Sequence, residues 1–195
     1  MILPRAFYDR PCLTVARQLL GKYLCIAGDE GVRAGRIVET EAYIHEEDLA
    51  CHARHGPTPR ARTLFGPPGH AYVFLVYGMH HCFNAVCEPQ GSAAAVLIRA
   101  LEPGNLPLRT DGPGKLCRAL SIERSDNGRD LTAGDRIWIE DRGEARVIGL
   151  ATPRIGVDYA GEWAKKPWRF VDPKSRWLSR KITFPNRPRR PPPSQ

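Results

Sequence analysis

Two glutamates, Glu39 and Glu41, stand two positions apart in RIVETEAYI. A strand read from Ile37 to Tyr43 points alternate side chains to opposite faces, which predicts Ile37, Glu39, Glu41 and Tyr43 on one side and Val38, Thr40, Ala42 and Ile44 on the other. Two carboxylates side by side on a strand repel each other and are expensive to bury unpaired. The plain reading is a pair of solvated or ion-paired acids on a half-exposed strand. The chemical reading is a general base: a carboxylate held in a cleft takes a proton from water while a guanidinium orients both. VLIRALEP supplies that guanidinium, because Arg99 is the one charged residue of the apolar run Ala94 to Leu101. An arginine inside such a strand needs a carboxylate partner, so Glu41 and Arg99 form the candidate pair. Paired acids also suit a glycoside hydrolase, and Trp138, Trp163, Trp168 and Trp177 offer stacking surfaces in the last third of the chain.

A second candidate is the tip Tyr77-Gly78-Met79, between two β-rich arms in AYVFLVYGMHHCFNAVC. An exposed aromatic beside an exposed methionine on a tight turn suits a wedge pushed between base steps, and the bland alternative folds Tyr77 back onto the core. Histidines 45, 52, 55, 80 and 81, with Cys51 and Cys82 close by, match no common zinc spacing. His52 is more useful as a hydrogen-bond donor to a phosphate or a base. GPPG (66 to 69) and GPGK (112 to 115) lack the full phosphate-loop pattern, leaving Lys115 at a helix start as a weak phosphate candidate.

The elements that must carry these residues read as follows. Leu13 to Leu20 is an amphipathic helix ended by Gly21. Lys22 to Ala27 and Arg36 to Tyr43 are strands joined by GDEGVRAG, and His45 to Cys51 is a short helix with acids near its start. A basic loop follows, with arginines at 54, 60 and 62, then the two arms and a central strand at Ala94 to Leu101. GPGKLCRALSI leads into a helix, and Arg136 to Glu140 with Ala145 to Leu150 forms a hairpin across Asp141-Arg142-Gly143. Strands and helices without a βαβ rhythm predict an α+β fold.

The 195 residues carry 29 Lys and Arg against 21 acids, a formal charge of +8 that favours an anionic partner, nucleic acid first. Half of that excess lies in KITFPNRPRRPPPSQ (181 to 195), a Pro/Arg-rich tail expected to be disordered beside a domain spanning 1 to 180. No apolar run reaches the roughly 20 residues of a membrane span. The six cysteines include no C-x-x-C pair and are expected to be reduced thiols of a cytoplasmic protein.

At these residues the chain resembles the alkyladenine (3-methyladenine) DNA glycosylase family of the human-enzyme type. VETEAY (38 to 43), YGMHHCFN (77 to 84), VLIRALEP (96 to 103), GPGKLCRAL (112 to 120) and RIGVDYAGEWAKKPWRF (154 to 170) are similar to its blocks in the same order, from about Phe7 to Phe170. The resemblance implies a single α+β domain with a curved antiparallel core, flanking helices and a protruding β-hairpin that intercalates in the minor groove. It implies a monofunctional glycosylase that flips a damaged purine out of double-stranded DNA and hydrolyses its bond to deoxyribose, as a monomer on nucleoid DNA and without a cofactor. Carried over residue by residue, Glu41 matches the general base, and Arg99 with the backbone carbonyl of Ile155 matches groups that hold the water. Tyr77 matches the intercalating tyrosine, with Met79 beside it. Tyr43 and His52 match walls of the base pocket, and Asn84 matches the asparagine whose bulk discriminates against the 2-amino group of guanine. Phe74 stands where the human-type enzymes have tyrosine, keeping the stacking face without the hydroxyl. His80 and His81 replace aromatics near the wedge. Arg54, Arg60, Arg62 and Lys115 are the phosphate-contact candidates, and no lysine among the pocket blocks supports lyase chemistry. Glu39 is left over, as a structural ion pair. The rival from another class is a non-catalytic nucleic-acid binder of the same fold.

Overall fold

Strands account for most of the regular structure in the computed structural model, which describes residues 1–29, 31–76 and 78–182. The chain begins with a helical turn, α1 (Arg5–Tyr8), and helix α2 (Cys12–Leu19). Val15, Ala16 and Leu19 of α2 are buried, the spacing expected of one helical face. Gly21, at φ +85°, takes the left-handed turn that frees the chain to enter β1 (Tyr23–Gly28). The antiparallel pairing with β2 (Gly31–Ile44) runs to Gly28 opposite Gly31, so most of the segment expected as a connecting turn is strand.

After β2 the chain turns without the helix expected from His45 to Cys51. The reason is local. His45 has φ +59°, and the Asp48 carboxylate accepts from the N–H of Ile44 and of Ala50, diverting those donors from helical bonds. A 3-10 turn, His52–His55, follows. The arms β3 (Ala71–Val76) and β4 (His80–Cys87) pair antiparallel with Val76 opposite His80; Tyr77, at their junction, lies outside the described residues. Then come β5 (Ala94–Pro103), helix α3 (Pro113–Leu120) and β6 (Ile137–Glu140). The expected hairpin across Asp141-Arg142-Gly143 does not form. β7 (Leu150–Thr152) pairs instead with β8 (Arg169–Val171), beyond a short helix α4 (Glu162–Lys165). The Arg/Pro-rich residues from 183 onward lie outside the described part.

The result is one curled antiparallel sheet in the order β3-β4-β5-β2-β1-β6, an α+β architecture with few helices. β2 is its longest member. β5 lies along one edge, while the other edge is divided between β1 at Gly31 to Arg36 and β8 at Glu39 to Glu41. The main core packs α2 and α3 against one sheet face, with Val73, Phe83, Ala85, Val96 and Ile98 among its members.

One expectation needs correcting. Ile37 does not share a face with Glu39 and Glu41; it joins the main core with Ala42 and Ile44, and Thr40 Oγ1 donates to the Ala16 carbonyl of α2 at 2.9 Å. The β2–β5 register shifts between Ile37 and Thr40. β5 slips at the same place, so that Ile98 and Leu101, three positions apart, both face the core. These matched irregularities change the phase of both strands at once. They leave Glu39, Glu41 and Tyr43 of β2 facing away from the helices, together with Arg99 of β5.

Candidate active site

The site is built as a row across the curled sheet. The register places Tyr72 opposite Asn84, Asn84 opposite Leu97, Leu97 opposite Glu41 and Glu41 opposite Arg169, so four pairings line up one residue from each of five strands. A cavity of about 520 Å³ opens along this row, and Tyr43, His52, Phe74, Asn84, Arg99 and Ile155 all contribute to its lining. That size suits a single planar ligand. No lysine is among the described residues lining it.

The two glutamates are both fully buried and are held differently. Glu39 Oε1 accepts from Arg99 Nε at 3.1 Å, Arg169 Nε at 2.6 Å and Ser179 Oγ at 2.7 Å, and Oε2 accepts from the Ser179 backbone N–H at 2.6 Å. A carboxylate offers about four acceptor positions, and Glu39 receives four donors, three of them crowded on Oε1. Glu41 Oε2 accepts from Arg99 Nη1 at 3.1 Å and from the Tyr43 hydroxyl at 2.8 Å, and Oε1 accepts from the Ile155 N–H at 2.8 Å. Three donors leave one acceptor position on Glu41, at Oε1. Arg99 bridges the pair. Burial disfavours its charge, yet the Glu41 and Glu39 carboxylates prevail and hold the guanidinium above its ordinary value.

Tyr43 forms one wall. Burial, and then the Glu41 charge, push its phenol well above the ordinary value, so it remains a donor to Glu41. The Arg154 guanidinium lies 4.8 Å from its ring centre and is anchored by Asp48 Oδ1 at 2.8 Å and the Ala42 carbonyl at 2.9 Å. Both side chains of this ion pair are wholly buried.

On β3 and in the 3-10 turn, aromatic groups pack into another part of the lining. Phe74 lies edge-on to His52 at 4.6 Å and tilted against Tyr72 at 5.2 Å, and His52 Nδ1 is 2.9 Å from the Tyr72 hydroxyl. Asn84 Nδ2 donates to the Tyr72 carbonyl at 3.0 Å. Burial, then Arg60 and Arg54, depress His52 to about 4, so the ring is neutral at physiological pH. Its folded value lies below the ordinary 6.5, and its contribution to stability is therefore complete above pH 6.5 and lost as pH falls toward 4. Allowing for the ring's partial exposure, that loss is on the order of 2 kcal/mol. Urea midpoints measured from pH 7 to 4.5 should fall less steeply for His52→Gln than for wild type, and parallel curves would rule the effect out.

The expected phosphate contacts are dispersed. Arg54, His55, Thr58 and Arg60 border a second cavity of about 320 Å³ that shares His52 and Tyr159 with the first. Arg60 also lies 5.2 Å over the Phe74 ring, making it part of the pocket itself. Arg62 is exposed on a separate 3-10 turn. Lys115, near the start of α3, bonds Asp111 at 3.3 Å, and Asp111 also pairs with Arg109. Met79 is 71% exposed. His80 packs against Gly114, and His81 is half-buried. At Ile155 the N–H holds Glu41; this is a different atom from the carbonyl expected to matter.

Sequence reasoning missed Asp48, Arg154, Arg169, Ser179 and Tyr159. Arg169 was within reach, since PWRFV places a lone arginine in an apolar strand just as VLIRAL does. The Arg154–Asp48 and Ser179–Glu39 contacts span 106 and 140 residues, and nothing local in the sequence marks them.

A family model described as Methylpurine-DNA glycosylase (MPG) matches residues 6–176, and the chain belongs to that family, whose members are hydrolases of N-glycosyl bonds in DNA. Among individual relatives, a protein of Anaeromyxobacter dehalogenans (strain 2CP-C) named "Putative 3-methyladenine DNA glycosylase" is 57% identical over 183 residues, which is 92% of this chain and 87% of that protein. Proteins of the same name from Methanocella arvoryzae and Legionella pneumophila (strain Corby) are 52% and 46% identical, covering 92% and 91% of this chain and 96% and 98% of their own length. No helix among the described residues is long and apolar enough to cross a membrane.

Proposed function

We propose that this protein starts base excision repair by hydrolysing the glycosidic bond of 3-methyladenine in double-stranded DNA, with 7-methylguanine, hypoxanthine and ethenoadenine as further substrates. The observation that carries this reading is the unequal use of two buried carboxylates: Glu39 takes four donors, whereas Glu41 takes three, from Tyr43, Arg99 and Ile155, all of which line the cavity.

A water bonded to Glu41 Oε1 is oriented toward the sugar carbon of a nucleotide turned into the pocket. As its oxygen bonds to C1′, the proton passes to Glu41 and the electrons of the C1′–N bond leave with the purine. The transition state resembles an oxocarbenium ion, which the Glu41 charge stabilises while Arg99 balances that charge in the free enzyme. A purine made cationic by methylation accepts the departing electrons without further help. A neutral one must gain a proton as it leaves. Tyr43 and Phe74 stack on the base, His52 donates to it or to the neighbouring phosphate, and Asn84 limits the space beside it. The Ile155 carbonyl is a further contact of the water.

Affinity comes from Arg54, Arg60, Arg62 and Lys115, and therefore falls as salt rises. Tyr77, with Met79 beside it, fills the gap left by the flipped nucleotide. The protein works as a monomer on chromosomal DNA.

The test is release of free 3-methyladenine from methylated duplex DNA, with alkali cleavage of a duplex carrying one hypoxanthine run in parallel. Release of neither base, with tight salt-dependent binding retained, would identify a binder instead. Tyr77→Ala should slow excision by roughly tenfold or more at an unchanged melting temperature, since a lost stacking contact is worth about 1–3 kcal/mol. Full activity in that variant would remove the wedge.

A further inference from the structure

The charge network behind Glu41 ends in Ser179, which lies in none of the motifs that mark the site. Past β8 the chain doubles back along the sheet. The Asp172 N–H donates to the Val38 carbonyl at 2.9 Å, and its carboxylate holds Arg36 at 3.1 Å. Farther on, Arg169 Nη2 donates to the Arg180 carbonyl at 2.9 Å. Ser179 is therefore tied down on both sides before it meets the site.

At the site its backbone N–H and its hydroxyl both donate to Glu39, at 2.6 and 2.7 Å. The same hydroxyl oxygen accepts from Arg99 Nε and Nη2, at 3.3 Å each. Arg99 Nη1 is thereby left for Glu41. Two buried carboxylates face two buried guanidiniums, Arg99 and Arg169, so the cluster balances only when both arginines are placed. A guanidinium presents its donors in a fixed planar fork, and constraining Nε and Nη2 fixes the direction of Nη1.

We propose that Ser179 is a positioning residue for excision: by engaging Glu39 and two nitrogens of Arg99 it aims the third nitrogen at Glu41. The inference rests on the reading of Glu41 as the base. It makes the return segment after β8 part of the catalytic apparatus, although it touches no reacting atom.

The experiment uses the full chain with Ser179→Ala, Ser179→Thr and Glu41→Gln. It measures single-turnover release of 3-methyladenine from methylated duplex DNA at saturating enzyme, the DNA dissociation constant and the melting temperature. Ser179→Ala should excise about tenfold more slowly, the effect of one hydrogen bond, with DNA affinity unchanged and a fall in melting temperature too small to unfold the protein at the assay temperature. Ser179→Thr, which retains the hydroxyl, should recover to within about threefold of wild type. A wild-type rate in Ser179→Ala overturns the inference, as does an equal loss in Ala and Thr or a loss accounted for by weaker binding or lower melting. Glu41→Gln separates the two ideas. If it is inactive while Ser179→Ala is fully active, only the role of Ser179 fails; if it excises normally, the base assignment fails.

Discussion

Glu41→Gln should excise a damaged purine at roughly one hundredth to one ten-thousandth of the wild-type rate, the range by which a positioned general base accelerates a reaction. The amide is nearly the same size but cannot take the water's proton and brings no negative charge to the sugar. It also fits its surroundings badly. Glu41 receives three donors: Tyr43 Oη, Arg99 Nη1 and the Ile155 N–H. A glutamine must point its own NH2 at one side of that set, so a donor meets a donor. Some loss of stability is expected, and excision must be compared below the variant's melting transition. Binding to duplex DNA should persist, because Arg54, Arg60 and Arg62, the proposed phosphate contacts, are untouched. A variant that folds, binds and still excises within about tenfold of wild type would end the case for Glu41 as base.

The largest effect on stability is expected at Asp48. Asp48→Ala leaves the Arg154 guanidinium buried with its charge unmatched, a change that costs about 3–5 kcal/mol in comparable settings. That is a large share of the roughly 5–15 kcal/mol by which a domain is stable. The remaining acceptors of Arg154, the Ala42 and Trp163 carbonyls, supply hydrogen bonds and no compensating charge. The damage should reach the site, since Arg154 lies against Tyr43 and precedes Ile155, whose N–H holds Glu41. Urea unfolding is the measurement: the midpoint should drop sharply at an unchanged slope. A loss below about 1 kcal/mol would mean that water reaches Arg154 and that the pair behaves like a surface ion pair. Asp48→Asn, which keeps the shape and an acceptor, should lie between the two.

Much of this site was legible because its parts obey short-range rules. A lone arginine in an apolar strand demands a partner, and Arg99 has two in Glu39 and Glu41. Alternation put Tyr43 beside Glu41, and their bond confirms the shared face. Glu39 was expected to be a structural ion pair, and it pairs with Arg99 and Arg169. The failures have equally definite causes. Alternation was carried through Ile37, where matched slips in β2 and β5 reset the phase, and such slips leave no mark on composition. Asp48 in the acid-rich segment after β2 suggested a helix start, but a buried partner 106 residues away claims it. The hairpin at Asp141 failed because β7 finds its partner in β8, beyond another helix. Long-range pairing overrides local propensity wherever the two compete.

The divided edge of β2 also sets an order of events. Its first half closes on β1 across a tight link and can pair as soon as those residues exist. Its second half, which carries both glutamates, lacks its edge partner until Arg169–Val171 has been synthesised. Closing so long a loop is slow compared with forming a hairpin. A growing chain therefore holds its two acids on an open strand edge, without Arg169 or Ser179, for most of its time on the ribosome. An open edge is where chains associate wrongly, and this one stays open until the last strand arrives.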